Sequence, residues 1–157
     1  MPVLDLPPTT ALLPERTVNS SAFKALFQAA ESLGADLGVL FREAGITLSD
    51  IEDADRRYPV DALFALYELV EGKTSTPDIG LYIGRIDYIN RLNLQLYACS
   101  ACTTFREYLN VMPSVLRIVG DIGEVKVRRE GEFIRLDWQP LAPESASQRY
   151  LTDSSLA

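Results

Sequence analysis

Histidine is absent from the sequence, and its absence limits the chemistry that the chain can perform. Histidine is the commonest general base and the usual partner of a nucleophilic serine or cysteine. The paired acids Asp53 and Asp55 lie in a polar connector, and residues 80–84 space two glycines without the lysine and hydroxyl residue of a phosphate loop. We therefore predict that the chain is not an enzyme and needs no cofactor.

Cysteine is also scarce, because the chain contains only Cys99 and Cys102, arranged as a C-x-x-C motif. Without histidine or a second C-x-x-C motif, a tetrahedral zinc site would need carboxylates or a second subunit. The neighbours of both thiols are small and apolar, and free cysteine commonly behaves as a small hydrophobic residue. We predict that both are buried or half-buried packing residues and that the chain holds no metal.

Long apolar runs are missing as well, and the sequence does not open with the basic and apolar segments of a secretory signal. We predict a cytoplasmic protein that does not enter a membrane. Basic residues are few: 15 lysines and arginines oppose 22 acidic residues, which gives a net charge of −7. Because DNA binding depends on neutralising phosphates, the chain is poorly suited to hold DNA by itself.

What is present is a series of apolar residues at helical spacing through the first two thirds of the chain. The first predicted helix has an apolar face at Phe23, Leu26, Phe27, Ala30 and Leu33. Candidate N-terminal caps precede the predicted helices at residues 19–21, Asp36, Asp61, Asp78 and Thr103 or Thr104. Glycines mark helix ends at Gly34, Gly45, Gly72 and Gly120.

Several segments between these signals need a separate interpretation. Residues 48–51 indicate a brief helical turn, and the charged stretch 52–57 is predicted to be a solvated connector. Residues 92–102 fit a strand or a helix, and we favour a helix because alanine, leucine and glutamine dominate there. Pro113 falls inside the helix that follows, so we expect a kink or a break near Asn110.

The last third of the chain changes to an alternation of apolar and polar residues, which predicts two antiparallel strands joined at Glu130-Gly131. Because an isolated hairpin is marginal in water, its apolar side must pack on the helices or join further strands. A final helix is predicted after Ser145 or Ser147. The predicted fold is α+β, with an N-terminal helical layer followed by a small antiparallel β-hairpin or sheet. Proline-rich residues 1–18 are predicted to be an irregular leader, and residues 19–157 to form one domain.

Polar-tipped aromatic residues, amides and arginines concentrate in the middle of the chain. Such groups can orient a small molecule between apolar walls. Tyrosines at helical spacing are also common at the edge of a core with the hydroxyl in water, and this alternative stays open. The candidate ligand-binding residues are Tyr82, Asn93, Tyr97, Arg106, Tyr108 and Trp138.

Four runs of residues, taken in order and followed by a β-hairpin, carry a likeness to a known family. The runs are Leu40-Phe41-Arg42-Glu43-Ala44-Gly45-Ile46, Arg57-Tyr58-Pro59-Val60-Asp61-Ala62-Leu63, Asp78-Ile79-Gly80-Leu81-Tyr82-Ile83-Gly84 and Thr103-Thr104-Phe105-Arg106-Glu107-Tyr108-Leu109. The series resembles the arabinose-binding-type N-terminal domain of AraC-type transcription regulators. The likeness covers most of residues 20–151, and its specificity lies in the order and spacing of the runs.

The resemblance implies an effector-sensing domain that forms a homodimer and binds a small-molecule effector. It also implies that DNA is bound through a C-terminal domain of two helix-turn-helix units, which this sequence lacks. We expect the chain to end inside the sensing domain. A sugar ligand does not follow from the family label, since members sense varied molecules. The alternative is a ligand-independent dimerisation or partner-docking module, which a tightly filled interior and a large apolar two-fold contact would favour.

Overall fold

The computed structural model of the chain describes residues 16–140 and 147–156, with the backbone alone at 87–96 and 155–156. Helices and two small antiparallel sheets make up this part, so the predicted α+β class is confirmed. None of the helices described is long and apolar enough to cross a membrane. In chain order the elements are β1 (Thr17–Asn19), α1 (Ser20–Ser32), α2 (Leu37–Ala44), α3 (Leu48–Glu52), β2 (Arg57–Pro59), α4 (Val60–Thr74), α5 (Ile79–Ser100), α6 (Phe105–Val119), β3 (Gly123–Glu130), β4 (Phe133–Pro140) and α7 (Gln148–Leu156).

Helix α1 forms the centre of the hydrophobic core. Its cap lies within the predicted segment, because the Asn19 side chain accepts a hydrogen bond from the Ser21 amide at 2.9 Å. Phe23 and Leu26 are fully buried, and helices α2, α3, α4 and α5 all contact α1. Burial of each such side chain contributes about 1.5–3 kcal/mol. The predicted apolar face of this helix is therefore the surface around which the helical layer packs.

The predicted ends of the early helices are confirmed in two cases and wrong in a third. Gly34 and Gly45 follow α1 and α2 with positive φ angles of 85° and 65°, the backbone conformation that glycine adopts at low cost. Gly72 does not end α4, which continues to Thr74 before Ser75 takes the left-handed position at φ 52°. An exposed glycine is tolerated inside a helix at a cost of about 1 kcal/mol, so it is a weak stop signal.

Strands β1 and β2 form a short sheet that the sequence did not predict. Val18 pairs with Tyr58 and also bridges to Gly120, so it is completely buried. The predicted leader lies mostly outside the described residues, but its last two residues belong to β1. Tyr58 lies in β2 just before Pro59, and a residue that precedes proline favours the extended conformation.

Arg57 corrects the prediction that residues 52–57 are only a solvated connector. Its guanidinium donates from Nε to the Thr17 hydroxyl at 2.7 Å and from Nη2 to the Thr17 carbonyl at 3.1 Å. It also donates from Nη1 to the carbonyl of Ile118 in the last turn of α6 at 3.0 Å. A cation is favoured there because carbonyl groups at a helix C-terminus lack partners and carry partial negative charge.

Helix α5 joins two segments that were predicted separately, and the preference for helix over strand at residues 92–102 is confirmed as far as Ser100. Its start packs closely against α7, the predicted final helix. A Cβ atom at Gly80 would lie 2.6 Å from the carbonyl oxygen of Tyr150. Tyr150 stacks on Tyr67 of α4 with ring centroids 5.3 Å apart, and its hydroxyl bonds to the Glu71 carboxylate. The closing helix is thereby held against both α4 and α5.

Helix α6 continues through Pro113, so of the predicted kink or break near Asn110 the break is wrong. Proline removes one amide donor, but the rest of the helix retains its own bonds and has a capped start. The hairpin is confirmed, with Glu130 opposite Phe133, so that Gly131 and Glu132 form the turn one residue later than predicted. Gly131 has φ 63°, as the first position of a type II′ turn requires.

The hairpin is covered by the helices only in part. Val125, Val127, Ile134, Leu136 and Trp138 share one face, because cross-strand partners in the register point to the same side. Trp138 lies half-buried against the core, whereas Ile134 and Leu136 are about half exposed. The hairpin therefore packs on the helices, which is one of the two predicted outcomes. This contact is found near the start of β3 and the end of β4, and it declines toward the turn.

Candidate functional site

A cleft of about 280 Å³ lies between α6 and the β3–β4 hairpin, and we call it the α6–hairpin cleft. Its volume is close to the lower end of the range for small-molecule sites, about 300–1,000 Å³. The lining residues come from the first turns of α6 and from both strands near their turn: Arg106, Leu109, Asn110, Val127, Arg128, Arg129, Glu132, Phe133 and Ile134.

The helical wall of the cleft is fixed by a capping box at the start of α6. Thr104 Oγ1 accepts a hydrogen bond from the Glu107 amide at 3.2 Å. In return, the Glu107 carboxylate accepts from the Thr103 amide at 2.6 Å and the Thr104 amide at 3.3 Å. These bonds satisfy amide groups that a helix start leaves unpaired, so they determine where the helix begins. Arg106 then lies three and four residues before Leu109 and Asn110, on the same helix face.

The strand wall of the cleft combines apolar side chains with arginines. Val127 and Ile134 lie on the apolar face of the hairpin, and with Leu109 they provide a hydrophobic surface. Leu109 is buried, whereas Phe133 is 77% exposed at the end of the hairpin. The cleft is therefore apolar on its inner side and open to solvent near the turn.

The charge of the cleft is opposite to that of the chain. Its lining contains three arginines and one glutamate, although the whole chain has a net charge of −7. Arg128 alternates with Val127 and points to the opposite face of the hairpin, where its Nε lies 3.5 Å from the Asp137 carboxylate that Arg135 Nε contacts at 2.6 Å. Arg129 Nε donates to the neutral carbonyl of Gly131 at 3.0 Å. With Arg106 added, the described lining has an excess of positive charge.

The six predicted ligand-binding residues do not form one site. Arg106 lines the cleft, but Tyr97 is 75% exposed near the end of α5. Tyr82 is half-buried, and its hydroxyl lies 3.0 Å from the Ser32 hydroxyl, which fits the alternative of a tyrosine at the edge of the core. Asn93 lies on α5, and its side chain is outside the described residues.

The remaining two candidates lie on the elements that form the cleft but not in its lining. Tyr108 is half-buried on α6, with its ring 6.0 Å from that of Phe105. Burial raises the pKa of the Tyr108 hydroxyl, and nearby Cys99 and Cys102 raise it further. Trp138 packs over Gly123, where even a Cβ atom would lie 2.2 Å from the indole ring. Its position is thus set by packing at the far end of the hairpin.

The sequence-based search missed most of the cleft, including Leu109, Asn110, Arg128, Arg129 and Phe133. The missing signal was the arginine pair 128–129 beside the turn. It directly precedes the predicted hairpin turn, in a chain that is otherwise acidic. A few charged groups among apolar walls are typical of small-molecule sites, but only the packing of α6 on β3 shows that the arginines and Leu109 share a cleft.

The two cysteines differ in exposure, which corrects the prediction that both are packing residues. Cys102 is half-buried as predicted, whereas Cys99 is exposed. Among the residues that the structure describes, no group of three or more histidine, cysteine or acidic side chains is placed to hold a metal ion.

Comparison with known proteins identifies the family. Residues 34–157 match the arabinose-binding domain found at the N-terminus of AraC transcription regulators. No individual curated protein matches the chain. The matched segment contains α2 to α7 and the whole α6–hairpin cleft. The chain therefore belongs to the family of arabinose-binding-type N-terminal domains of AraC transcription regulators, which are ligand-binding regulatory domains.

Proposed function

We propose that the α6–hairpin cleft is the effector site of this regulatory domain and that it binds a small molecule with a carboxylate on an apolar body. The observation that carries the proposal is the excess of arginine in the lining of a cleft on an acidic chain. Arginine binds carboxylates through paired, charge-assisted hydrogen bonds. Leu109, Val127 and Ile134 supply the apolar surface for the rest of the molecule.

The regulatory consequence follows from the two elements that form the cleft. An effector changes a protein's arrangement only when it binds one arrangement more tightly than another. Because the cleft lies between α6 and the hairpin, a bound molecule favours the arrangement in which its two walls are correctly spaced. We propose that this change is transmitted to a DNA-binding segment elsewhere in a cytoplasmic regulator, and that the chain itself catalyses no reaction.

A thermal-shift screen tests the effector site. Apolar monocarboxylates should raise the melting temperature, and primary amides of the same shape should raise it less, because a ligand that prefers the folded state stabilises it. Arg106→Gln should reduce the shift. Arg117→Gln is the matched control, since Arg117 lies on the same helix, pairs with Glu124 at 3.7 Å and does not line the cleft. Equal shifts with acids and amides would contradict the proposed ligand class.

Homodimerisation, which the resemblance predicts, is a second candidate function. The ligand-independent dimerisation or partner-docking module is the form of this function that needs no effector. The supporting observation is the large apolar side chains exposed on α6 and the hairpin: Phe105, Val111, Ile118, Phe133, Ile134 and Leu136. A second copy of the chain would bury them in a self-complementary contact. Sedimentation equilibrium should detect a dimer that Ile118→Asp weakens. A monomer at every concentration tested would contradict this candidate.

A further inference from the structure

The C-x-x-C motif stands at the end of α5, outside the lining of the cleft. Cys99 lies in the last turn of the helix, and Ala101 is the C-terminal cap, so Cys102 lies just beyond the helix. Cys99 is exposed and Cys102 is half-buried. One thiol is therefore accessible to a reagent in solution, and the other is beside it with less access.

The backbone brings the two cysteines to opposite ends of one tight turn. The Cys102 amide donates a hydrogen bond to the Cys99 carbonyl at 3.1 Å. Residues three apart in a helix have Cβ atoms about 5–6 Å apart. A disulfide needs a Cβ separation of about 3.5–4.5 Å. Because Cys102 is outside the helix, a small adjustment at Ala101 and Cys102 can close this difference without unwinding α5.

The thiol of Cys102 makes a hydrogen bond that disulfide formation would remove. Its Sγ atom donates to the Ala98 carbonyl at 3.1 Å, one turn back along the helix. The hydroxyl of Tyr108 is close enough to both thiols for each to affect its ionisation. Tyr108 is on α6, and a residue two positions after Arg106 does not share its helix face. The motif therefore lies where α5 and α6 meet, on a different face of α6 from the cleft.

We propose that Cys99 and Cys102 form a reversible redox site, which closes to an intramolecular disulfide by exchange with a low-molecular-weight disulfide. The Cys99 thiolate attacks one sulfur of the reagent, whose S–S bond breaks and releases one thiolate, which takes up a proton. Cys102 then loses its proton to solvent and attacks Cys99 Sγ, which expels the second thiolate. Two thiols of the protein are oxidised, and one reagent disulfide is reduced to two thiols.

The roles of the two thiols follow from their exposure. Exposed Cys99 makes the first contact with the reagent, and half-buried Cys102 resolves the mixed disulfide. Exposed or strained disulfides are easily reduced, which is the behaviour expected of a regulatory site. Closure removes the Cys102 bond to Ala98 and changes the surroundings of Tyr108. The site thus acts on the start of α6 whether or not the cleft binds an effector.

Equilibration of the whole chain in glutathione buffers of graded redox potential, followed by acid quenching and mass spectrometry, tests the site. We expect the loss of two hydrogen masses, fully reversed by reduced glutathione. Cys102→Ser should instead accumulate a glutathione adduct on Cys99, and Cys99→Ser should resist modification. Persistent glutathione adducts on the wild-type chain, or disulfide-linked dimers in place of the internal bond, would overturn the proposal.

A displaced thiol provides the matched control for geometry. The variant Cys102→Ser/Thr103→Cys keeps two thiols but moves the second past the turn. The substitution at Thr103 leaves the hydrogen bond to Glu107 in place, because the backbone amide of Thr103 donates it. We expect its disulfide to be at least about tenfold less favoured, equivalent to about 30 mV for a two-electron couple. Equal potentials for the two chains would show that the turn at Cys99 does not bring the thiols together.

Discussion

Gly80 is the point at which α5 and α7 approach most closely, and its replacement by alanine tests that contact. The new Cβ atom would lie 2.6 Å from the Tyr150 carbonyl oxygen, 2.9 Å from its Cα and 3.0 Å from Cβ of Asp153. Two of these neighbours are backbone atoms, so α7 has to move by several tenths of an ångström. Forcing extra atoms into a packed contact costs about 1–3 kcal/mol.

The helix propensity of alanine acts in the opposite direction. Alanine is favoured over glycine by up to about 1 kcal/mol inside a helix, and Gly80 is only the second residue of α5. We therefore expect Gly80→Ala to lower the free energy of unfolding by about 1–2 kcal/mol. If α7 separates instead, the loss is larger, because Leu151 and Tyr150 are both buried.

Gly72 of α4 provides the matched control. A Cβ atom there meets nothing within 4 Å, and the residue is exposed. Gly72→Ala should therefore raise the free energy of unfolding by up to about 1 kcal/mol. Urea denaturation followed by circular dichroism measures both variants, and hydrogen exchange reports on α7 directly. A stabilising effect of Gly80→Ala similar to that of Gly72→Ala would refute the proposed close packing.

Three further substitutions test other parts of the fold. Arg57→Ala removes three hydrogen bonds that tie β1 and α6 to β2, and urea denaturation should show a loss of about 1–2 kcal/mol. Phe27→Ala removes a buried ring stacked 4.2 Å from that of Phe41, and a calorimetric melt should show a loss of about 3–5 kcal/mol. The hydrogen bond to Glu71, followed by burial, raises the pKa of Tyr150 above its usual 10.0. The contribution of the neutral Tyr150 hydroxyl to stability is complete below pH 10 and is lost as the pH rises through the folded-state pKa. Tyr150→Phe should therefore weaken the alkaline loss of stability. Unchanged stability in the first two variants, or an unchanged alkaline profile in the third, would contradict the contacts described.

Local chemistry explains why most helices could be predicted. Asn19, Asp36 and Thr104 are caps whose side chains accept bonds from amides two or three residues later, and both partners lie within a short stretch of sequence. Periodic burial in α1 depends likewise on residues three or four apart. The hairpin and its turn follow from alternation and from one glycine, to within a residue.

Contacts between distant segments explain what the sequence did not predict. The β1–β2 sheet pairs Val18 with Tyr58 across 40 residues, and three-residue strands are too short for alternation to be recognised. Arg57 was assigned to a charged connector because its partners Thr17 and Ile118 are far away in the sequence. The search for binding residues favoured tyrosines and so missed a cleft built from arginines and aliphatic side chains.

Calorimetric titration of the cleft tests the central claim most directly. An apolar carboxylate from the screen and its amide are titrated into the wild-type chain and into Arg106→Gln/Arg129→Gln. Charge-assisted hydrogen bonds contribute about 1.5–3 kcal/mol, so the wild-type chain should bind the acid at least about tenfold more tightly than the amide. The double variant should lose this preference. Equal affinities for acid and amide, or a preference that survives both substitutions, would contradict the account.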